Sequence, residues 1–403
     1  MLQRYEINTG RGGRALSLEE IREQMNKLPQ KKTILLAFSY SGLSLINVKE
    51  LLQYIPPNIL GIDLGSLVRT VPYIHTRTLD EIEEICALLP RQFQVILAER
   101  ILHSPSDEQI NQFLMALPKA KHLSLKSNYL NCLNSASLSK LQGVEILELD
   151  ENWLEGGTWP PTYFDFFEFL PVTVTTIRIR LPQADPYRLY ERRKIREDFF
   201  RKLPPHIHTL GLNAYDFKEE VTPFNVPSSV HTLQWFWHPG YKPEVLKLLS
   251  SSSIQTLDLS NTNLGDWSWW EVAALIENAS QSIRRLMLDN NQLHRWSIEN
   301  LISFLKRIPN TVTTVSLKGN RLFQNRALRE QDNLLKELQL FSPRLAIEDN
   351  GSDDLFRAAP PLLGAIQQHL ISEDAGNLIA SYLGAKTLTF REGVRKWKQF
   401  YIN

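Results

Sequence analysis

Nine histidines, two cysteines, a glycine-rich stretch and a spread of charged and aromatic residues are the groups in this 403-residue chain that could do chemistry. A Cys beside a His would make an acyl-transfer nucleophile. Cys132 follows a strand-like segment with no His close in sequence, and Cys86 lies among apolar neighbours in the helical pattern LDEIEEICALL (79–89). Both read as structural, Cys86 as a small core residue. The histidines show no metal spacing, and HExxH, CxxC and Walker sequences do not occur. His208 and His231 hold equivalent places in two successive strand-like segments. Stacked imidazoles there could hold a metal, but a surface pair is the commoner arrangement. Gly10, Gly12 and Gly13 in TGRGGR give a weak phosphate-loop signal; no strand pattern precedes them, so a flexible N-terminus is expected. YERRKIRED (190–198) mixes basic and acidic residues and reads as a solvated helix face. Nothing here assembles a catalytic centre, a cofactor site or a metal site, and the chain reads as a non-enzyme.

Composition narrows the classes further. Lys plus Arg is 45 and Asp plus Glu is 44, a net charge of +1. That balance supplies no global field for nucleic acid or an anionic membrane. Two cysteines are too few for a secreted disulfide scaffold. The first twenty residues carry no apolar signal-peptide core, and no run approaches the ~18 apolar residues of a membrane span.

The charged and aromatic groups are positioned by a repeat. AKHLSLKSNYL (120–130), VEILELDENWL (144–154), IQTLDLSNTNL (254–264), IRRLMLDNNQL (283–293) and VTTVSLKGNRL (312–322) align without gaps. Each is apolar at its fourth, sixth and eleventh positions, and the ninth is Asn128, Asn152, Thr262, Asn291 or Asn320. Weaker copies are ILGIDLGSLVR (59–69), VTTIRIRLPQA (174–184), IHTLGLNAYDF (207–217) and VHTLQWFWHPG (230–240). KTILLAFSYSGL (32–43) and FQVILAERIL (93–102) are further copies whose register stays open. An apolar–Pro pair, followed by two residues, leads into many copies: Ile55-Pro56, Leu170-Pro171, Leu203-Pro204, Val226-Pro227 and Ile308-Pro309, with Leu117-Pro118 one residue short.

Alternation at positions four and six turns both side chains to one side of a short strand. An amide at position nine can turn inward and pair backbone groups that the turn leaves open. Stacked copies then make a parallel sheet, in which each buried Leu contributes roughly 1.5–3 kcal/mol once a neighbour covers it. Between the strands, SLEEIREQMNKL (17–28), DEQINQFLMAL (107–117), EVAALIENAS (271–280) and SIENLISFLKRI (297–308) show helical periodicity, the first with Ser17 and Glu20 at capping-box spacing. Leu257, Leu286 and Val315 are 29 residues apart, enough for a strand and a helix, whereas Leu233 to Leu257 is 24 and Ile177 to Leu210 is 33.

These copies resemble the leucine-rich-repeat family, LxxLxLxxNxL, of the ribonuclease-inhibitor type, over residues 30–340. The resemblance implies an α/β solenoid, a horseshoe with a parallel concave sheet, convex helices and a C-terminal helical cap. It divides the chain into an N-terminal segment with a capping helix (1–30), the repeats (31–345) and a helical cap or small helical module (346–403). After Phe341 the repeat is expected to stop, and IEDNGSDDLFRAAPP (347–361) reads as a connection. The lead-ins LPVTVTTIRI and IPNTVTTVSL are also similar to leucine-rich-repeat effectors that intracellular bacterial pathogens inject by type IV secretion. That likeness implies delivery into the host cytosol without a classical signal peptide; otherwise the protein is cytoplasmic. Some such effectors end in an acidic signal, whereas REGVRKWKQFYIN here is basic. ISEDAGNLIASYLGAKTL with Trp397 faintly resembles an F-box, with Leu378, Ile379, Tyr382 and Leu383 as its apolar residues, Ile371-Ser372 replacing the usual Leu-Pro, and the usual Cys absent. That would imply a ubiquitin-ligase adaptor.

The expected function is recognition of a protein partner, a host protein if the chain is injected, with no nucleic acid and no cofactor. The fifth, seventh and eighth positions of the copies face the open side of the sheet. Glu148, Asp150, Arg178, Arg180, Gln234, Phe236, Trp237, Asp258, Met287 and Asp289 are the candidate contacts. Both charge signs are interspersed, which suits a protein surface more than a phosphate backbone. Trp and Arg are favoured interface anchors. Trp267 and Trp269 are rim candidates, while Trp235, Trp270 and Trp296 read as core. The strands of Arg178 and Gln234 are expected two strand spacings apart, within roughly 10 Å, as one central patch.

Overall fold

The computed structural model describes residues 3–11, 14–29, 33–39, 43–71, 75–102, 106–128, 138–149, 163–179, 189–213, 225–236, 253–277, 281–324, 326, 328–341, 344–347 and 350. They fall into two compact units, one of residues 1–216 with 225–230, the other of 217–224 with 231–403. The C-terminal cap or F-box segment lies outside the described residues, as do Cys132, Asn152, Asp150, Arg180 and Trp237.

In the first unit, β1 (Gln3–Asn8) leads to a small antiparallel hairpin of β2 (Gly10–Arg11) and β3 (Arg14–Ala15). There follow β4 (Ile34–Ser39), β5 (Ile59–Asp63), a second hairpin of β6 (Arg69–Val71) and β7 (His75–Thr76), then β8 (Val95–Leu97), β9 (His122–Ser124), β10 (Ile146–Glu148), β11 (Thr176–Arg178) and β12 (Thr209–Asn213). Apart from the hairpins, these pair in chain order, every pair parallel. The flexible N-terminus expected from TGRGGR is thus corrected: a strand precedes it, and Gly10 pairs with Ala15. Among the described side chains of β1 only Ile7 is buried, so it carries no LxxLxL pattern to read. The second unit repeats the ladder with β13 (Thr232–Phe236), β14 (Thr256–Asp258), β15 (Arg285–Met287), β16 (Thr314–Ser316) and β17 (Leu345–Ala346), again parallel.

Register follows the fourth position. Ile62, Ile96, Leu123, Leu147, Ile177 and Leu210 stand in line across neighbouring strands. This fixes the open copy at 93–102: Phe93 is its first position and Ile101 fills the ninth, where four of the five best copies hold Asn. The Pro lead-in is a turn. The carbonyls of Pro56, Pro90, Pro171, Pro204, Pro227 and Pro309 accept hydrogen bonds from the N–H three residues later, at 2.9–3.3 Å. Proline costs nothing there, since its missing N–H is not the donor the turn uses.

The helices Leu18–Asn26, Leu45–Leu52, Leu79–Leu88 and Asp107–Ala116 pack in succession in the first unit. The helices Trp269–Glu277, Ile298–Arg307 and Leu328–Gln339 do so in the second. Ser17 with Glu20, Thr78 with Glu81 and Ser106 with Gln109 form reciprocal capping boxes that satisfy the first free N–H groups. Cys86 is buried, and burial followed by the charge of Glu83 pushes its thiol up to about 12, so it stays protonated. Where the repeat length varies, aromatics fill the space: Phe199 meets Phe164 and Phe167 edge-on at 5.2 and 5.6 Å.

Beneath the turns the buried asparagines do what their position requires. Asn320 Oδ1 accepts from the N–H of Asn291 (2.8 Å) and Leu293 (3.3 Å), and its Nδ2 donates to the carbonyls of Leu288 and Leu317. Asn128 bridges Ile101, Leu102, Ala98 and Leu125 in the same way. On either side of the ninth position the backbone is left-handed, at Ser127, Asn261, Asn263, Asn290, Gln292 and Arg321. Non-glycine residues rarely adopt that form, so the Asn bonds hold the loop in shape. The repeat does not end at Phe341. β17 joins the ladder, and Asn350 is buried, accepting from the N–H of Leu322 and donating to Leu317 and Ile347. The Asp- and Gly-rich stretch expected as a connection therefore opens inside one more copy. The architecture is an α/β leucine-rich-repeat solenoid.

Candidate functional site on the strand faces

The fifth position of each copy forms a column along each ladder, with neighbours ~4.8 Å apart. In the first unit the column reads Asp63, Leu97, Ser124, Glu148, Arg178, Gly211. Glu148, expected as an exposed contact, is only 4% exposed. Its Oε2 lies 2.7 Å from Lys126 Nζ, and its Oε1 lies 3.0 Å from His122 Nε2 and also takes Arg178 Nη1. Burial alone would raise the Glu148 carboxyl. The His122 imidazole and the charges of Lys126 and Arg178 outweigh it and hold the group well below the usual carboxylate range. Beside the cluster, Ser124 Oγ donates to Glu99 Oε1 at 2.7 Å.

The basic side chains of this cluster are reachable. The side chains of His122, Lys126 and Arg178 keep 21%, 30% and 25% of their surface. Gly211 makes room for Arg178: a Cβ at that position would stand 2.7 Å from Arg178 Cγ. The carboxylate is thus a buried anchor, and what it presents to solvent is positive. Sequence reasoning named Glu148 and Arg178 but missed His122, Lys126, Glu99 and Gly211. The column rule itself was the available signal, since Lys126 is a seventh position and Gly211 a fifth.

In the second unit the column is Gln234, Asp258, Met287, Ser316. Gln234 Nε2 lies 3.3 Å from Asp258 Oδ2, whose Oδ1 accepts from the Ser260 N–H at 2.9 Å. Asp289 accepts from Ser316 Oγ and, at 2.9 Å, from the Lys318 N–H. Gln234, Phe236, Asp258, Met287 and Asp289 are half-buried. Arg178 belongs to the first unit and Gln234 and Phe236 to the second.

The tryptophans need two corrections. Trp270, expected in the core, is 56% exposed, because it stands on the outer side of the first turn of its helix. Trp267, expected at the rim, is 6% exposed, and its carbonyl accepts from Trp296 Nε1 at 2.8 Å. Trp269 lies in between, with the Arg307 guanidinium 5.8 Å from its ring centre. Trp235 and Trp296 are buried as expected.

No family model matches the chain, and no curated protein matches it. Among solved structures, the leucine-rich repeat-containing protein LegL7 from Legionella pneumophila aligns over 87% of this chain and 92% of its own, at 17% identity and a TM-score of 0.38. A chain of the Rad7 and Elc1 complex in yeast aligns over 83% and 85%, at 14% identity and a TM-score of 0.34.

Proposed function

We propose that the chain is a protein-recognition scaffold whose strand faces take the partner. The Glu148 cluster carries this reading. A buried ion cluster contributes less to folding than well-packed apolar residues of the same volume, so stability does not account for it. The Lys126 and Arg178 cations, with His122 beside them, are held in fixed places on the open side of a strand ladder and form a preorganised, electrostatically specific surface. Such a surface suits an acidic segment of a folded partner. The half-buried Gln234, Phe236 and Met287 give the second unit a more neutral face of the same kind.

The test is site-specific photocrosslinking in the cells where the protein acts. A crosslinking residue placed at Lys126, Gln234 or Met287 should give one discrete adduct, identified by mass spectrometry. Adducts formed only from a helix-side position such as Ile46 would refute the strand-face reading. In its narrower form the proposal makes the chain an injected effector and its partner a host protein. That form rests on the Pro-containing lead-ins. A translocation reporter fused to the chain, delivered by a strain with and without its type IV system, decides it.

A further inference from the structure

Four of the six large exposed apolar side chains described in the first unit fall on one repeat position, while Ile46 and Val172 lie off it. Tyr54, Leu88, Met115 and Phe169 each stand eight residues before the fourth-position residue of a strand: Ile62, Ile96, Leu123 and Ile177. Ser139 holds the same place before Leu147 and is the one polar gap. Met115 is 63% exposed, and the other three are 41–50% exposed. The row ends at both sides, with buried Leu28 before Leu36 and with Lys202 before Leu210, which is paired to Asp165 and Asp198. Among the described residues of the second unit the corresponding ones are Arg307, paired to Glu277, and Glu337. Single exposed apolar residues are ordinary, but a row in register is a patch.

Charge beside the row is one-sided. Arg91, Lys119 and Lys140 are exposed along the same turns and have no ion-pair partner among the described residues. Lys121 is neutralised by Glu145 at 3.1 Å, and Glu168 is the only unpaired acid next to the row among the described residues. We propose that this row is a docking track for an acidic amphipathic helix of a partner protein. Leu88 and Met115 stand at the ends of helices that pack on each other, and packed helices lie ~8–10 Å apart. An α-helix presents one side chain of a given face every seven residues, an advance of ~10.5 Å. A helix laid along the row meets one apolar side chain per repeat, and acids on its flank meet Arg91, Lys119 and Lys140. A bilayer needs no such register, and a one-residue-wide row offers it little area.

The test uses the full chain and a fluorescein-labelled synthetic peptide of four heptads, with Leu at the first and fourth place of each heptad and Glu on one flank. Anisotropy should show saturable binding that weakens by about tenfold or more in Leu88→Glu/Met115→Glu. It should weaken similarly in the charge reversal Arg91→Glu/Lys119→Glu, with unchanged melting temperatures. A scrambled peptide, or one with Lys in place of Glu, should not bind. Arg178→Glu on the strand face should leave binding intact, which keeps this proposal separate from the previous one. Absence of saturable binding, or equal affinity in parent and both double variants, overturns it. So does cosedimentation with phosphatidylserine vesicles, or self-association in sedimentation velocity, that is abolished by the same variants while the peptide does not bind.

Discussion

The second unit places its polar side chains beneath the turns; the first places them on the open side of the strands. In the second, Asn291, Asn320 and Asn350 follow one another, each pairing backbone of the turn before it, and Asn320 and Asn350 that of their own turn as well, at a steady repeat of 29 residues between Leu257 and Val315. Asp258 and Asp289, on its strand face, are bound to the turns beside them. In the first unit Asn128 is the one ninth-position Asn among the described residues, Ile101 fills the preceding ninth position, and charge gathers around Glu148. The comparison separates two uses of a repeat. Regular copies lock their loops and gain stability from every neighbour. Irregular copies give up part of that lock and hold reachable cations at fixed places.

The largest effect expected from a single change lies in the regular unit and separates neighbouring tryptophans. Trp267→Ala should cost about 3–5 kcal/mol, since it empties a packed site. Trp270→Ala should cost less than about 0.5 kcal/mol, as surface changes do. Chemical denaturation measures both, and similar values for the two would show that Trp267 does not pack as placed. Asn320→Ala comes next, at about 2–3 kcal/mol, because it strands buried donors and acceptors in two turns. Asn350→Ala should cost about 1–2 kcal/mol, since its turn closes the described ladder and locks no later copy. A neutral Asn350→Ala would return the end of the repeats to Phe341.

How much of this was legible follows from what each element needs. Asn291 and Asn320 were readable because a buried turn requires an amide at one fixed place, and the strands because positions four and six alternate. β1 was hidden because Ile7 is the one buried residue among its described side chains. Asn350 was hidden because the turn of its copy falls among Asp and Gly, which read as a connection. Trp267 and Trp270 were exchanged because the turn after the ninth position folds through a short 3-10 segment, Leu264–Asp266, that turns Trp267 inward. Within the site, Glu148 and Arg178 were readable as column positions. Their mutual pairing was not, because it depends on side-chain reach across strands and on the space that Gly211 leaves.

Charge on the first unit's strand face predicts a pH dependence that the second unit's asparagines lack. The Glu148 carboxyl is held low in the folded state, so its contribution is complete above the unfolded carboxylate value, about 4.3, and is lost as pH falls through the lower folded value. Glu148→Gln should destabilise by about 2 kcal/mol at pH 7, and the gap to the parent should narrow steadily below about pH 4. Urea titrations across pH give the curve. A gap independent of pH would mean that the glutamine costs packing and not charge.

The smallest expected effect is the most informative about the cluster. Gly211 has no left-handed backbone that would forbid a side chain, so Ala there is locally acceptable and also restrains the unfolded chain. Its obstacle is Arg178, whose Cγ, Cβ and Cα stand 2.7, 3.2 and 3.3 Å from the new methyl. Because the near atoms belong to the base of the side chain, a small swing of the guanidinium does not relieve the contact, and Arg178 must change rotamer and leave Glu148. Lys126 and His122 remain on the carboxylate, so the net cost should be about 1 kcal/mol or less. A double-mutant cycle isolates the cause: in an Arg178→Ala background Gly211→Ala should cost nothing or stabilise slightly, giving a coupling of about 1 kcal/mol. Partner binding should fall in both single variants to the same degree, since each removes the same cation from the same place. A Gly211→Ala variant that binds as the parent does would show that Arg178 need not stand over Gly211 to act, and would shift the weight of recognition to Lys126 and His122.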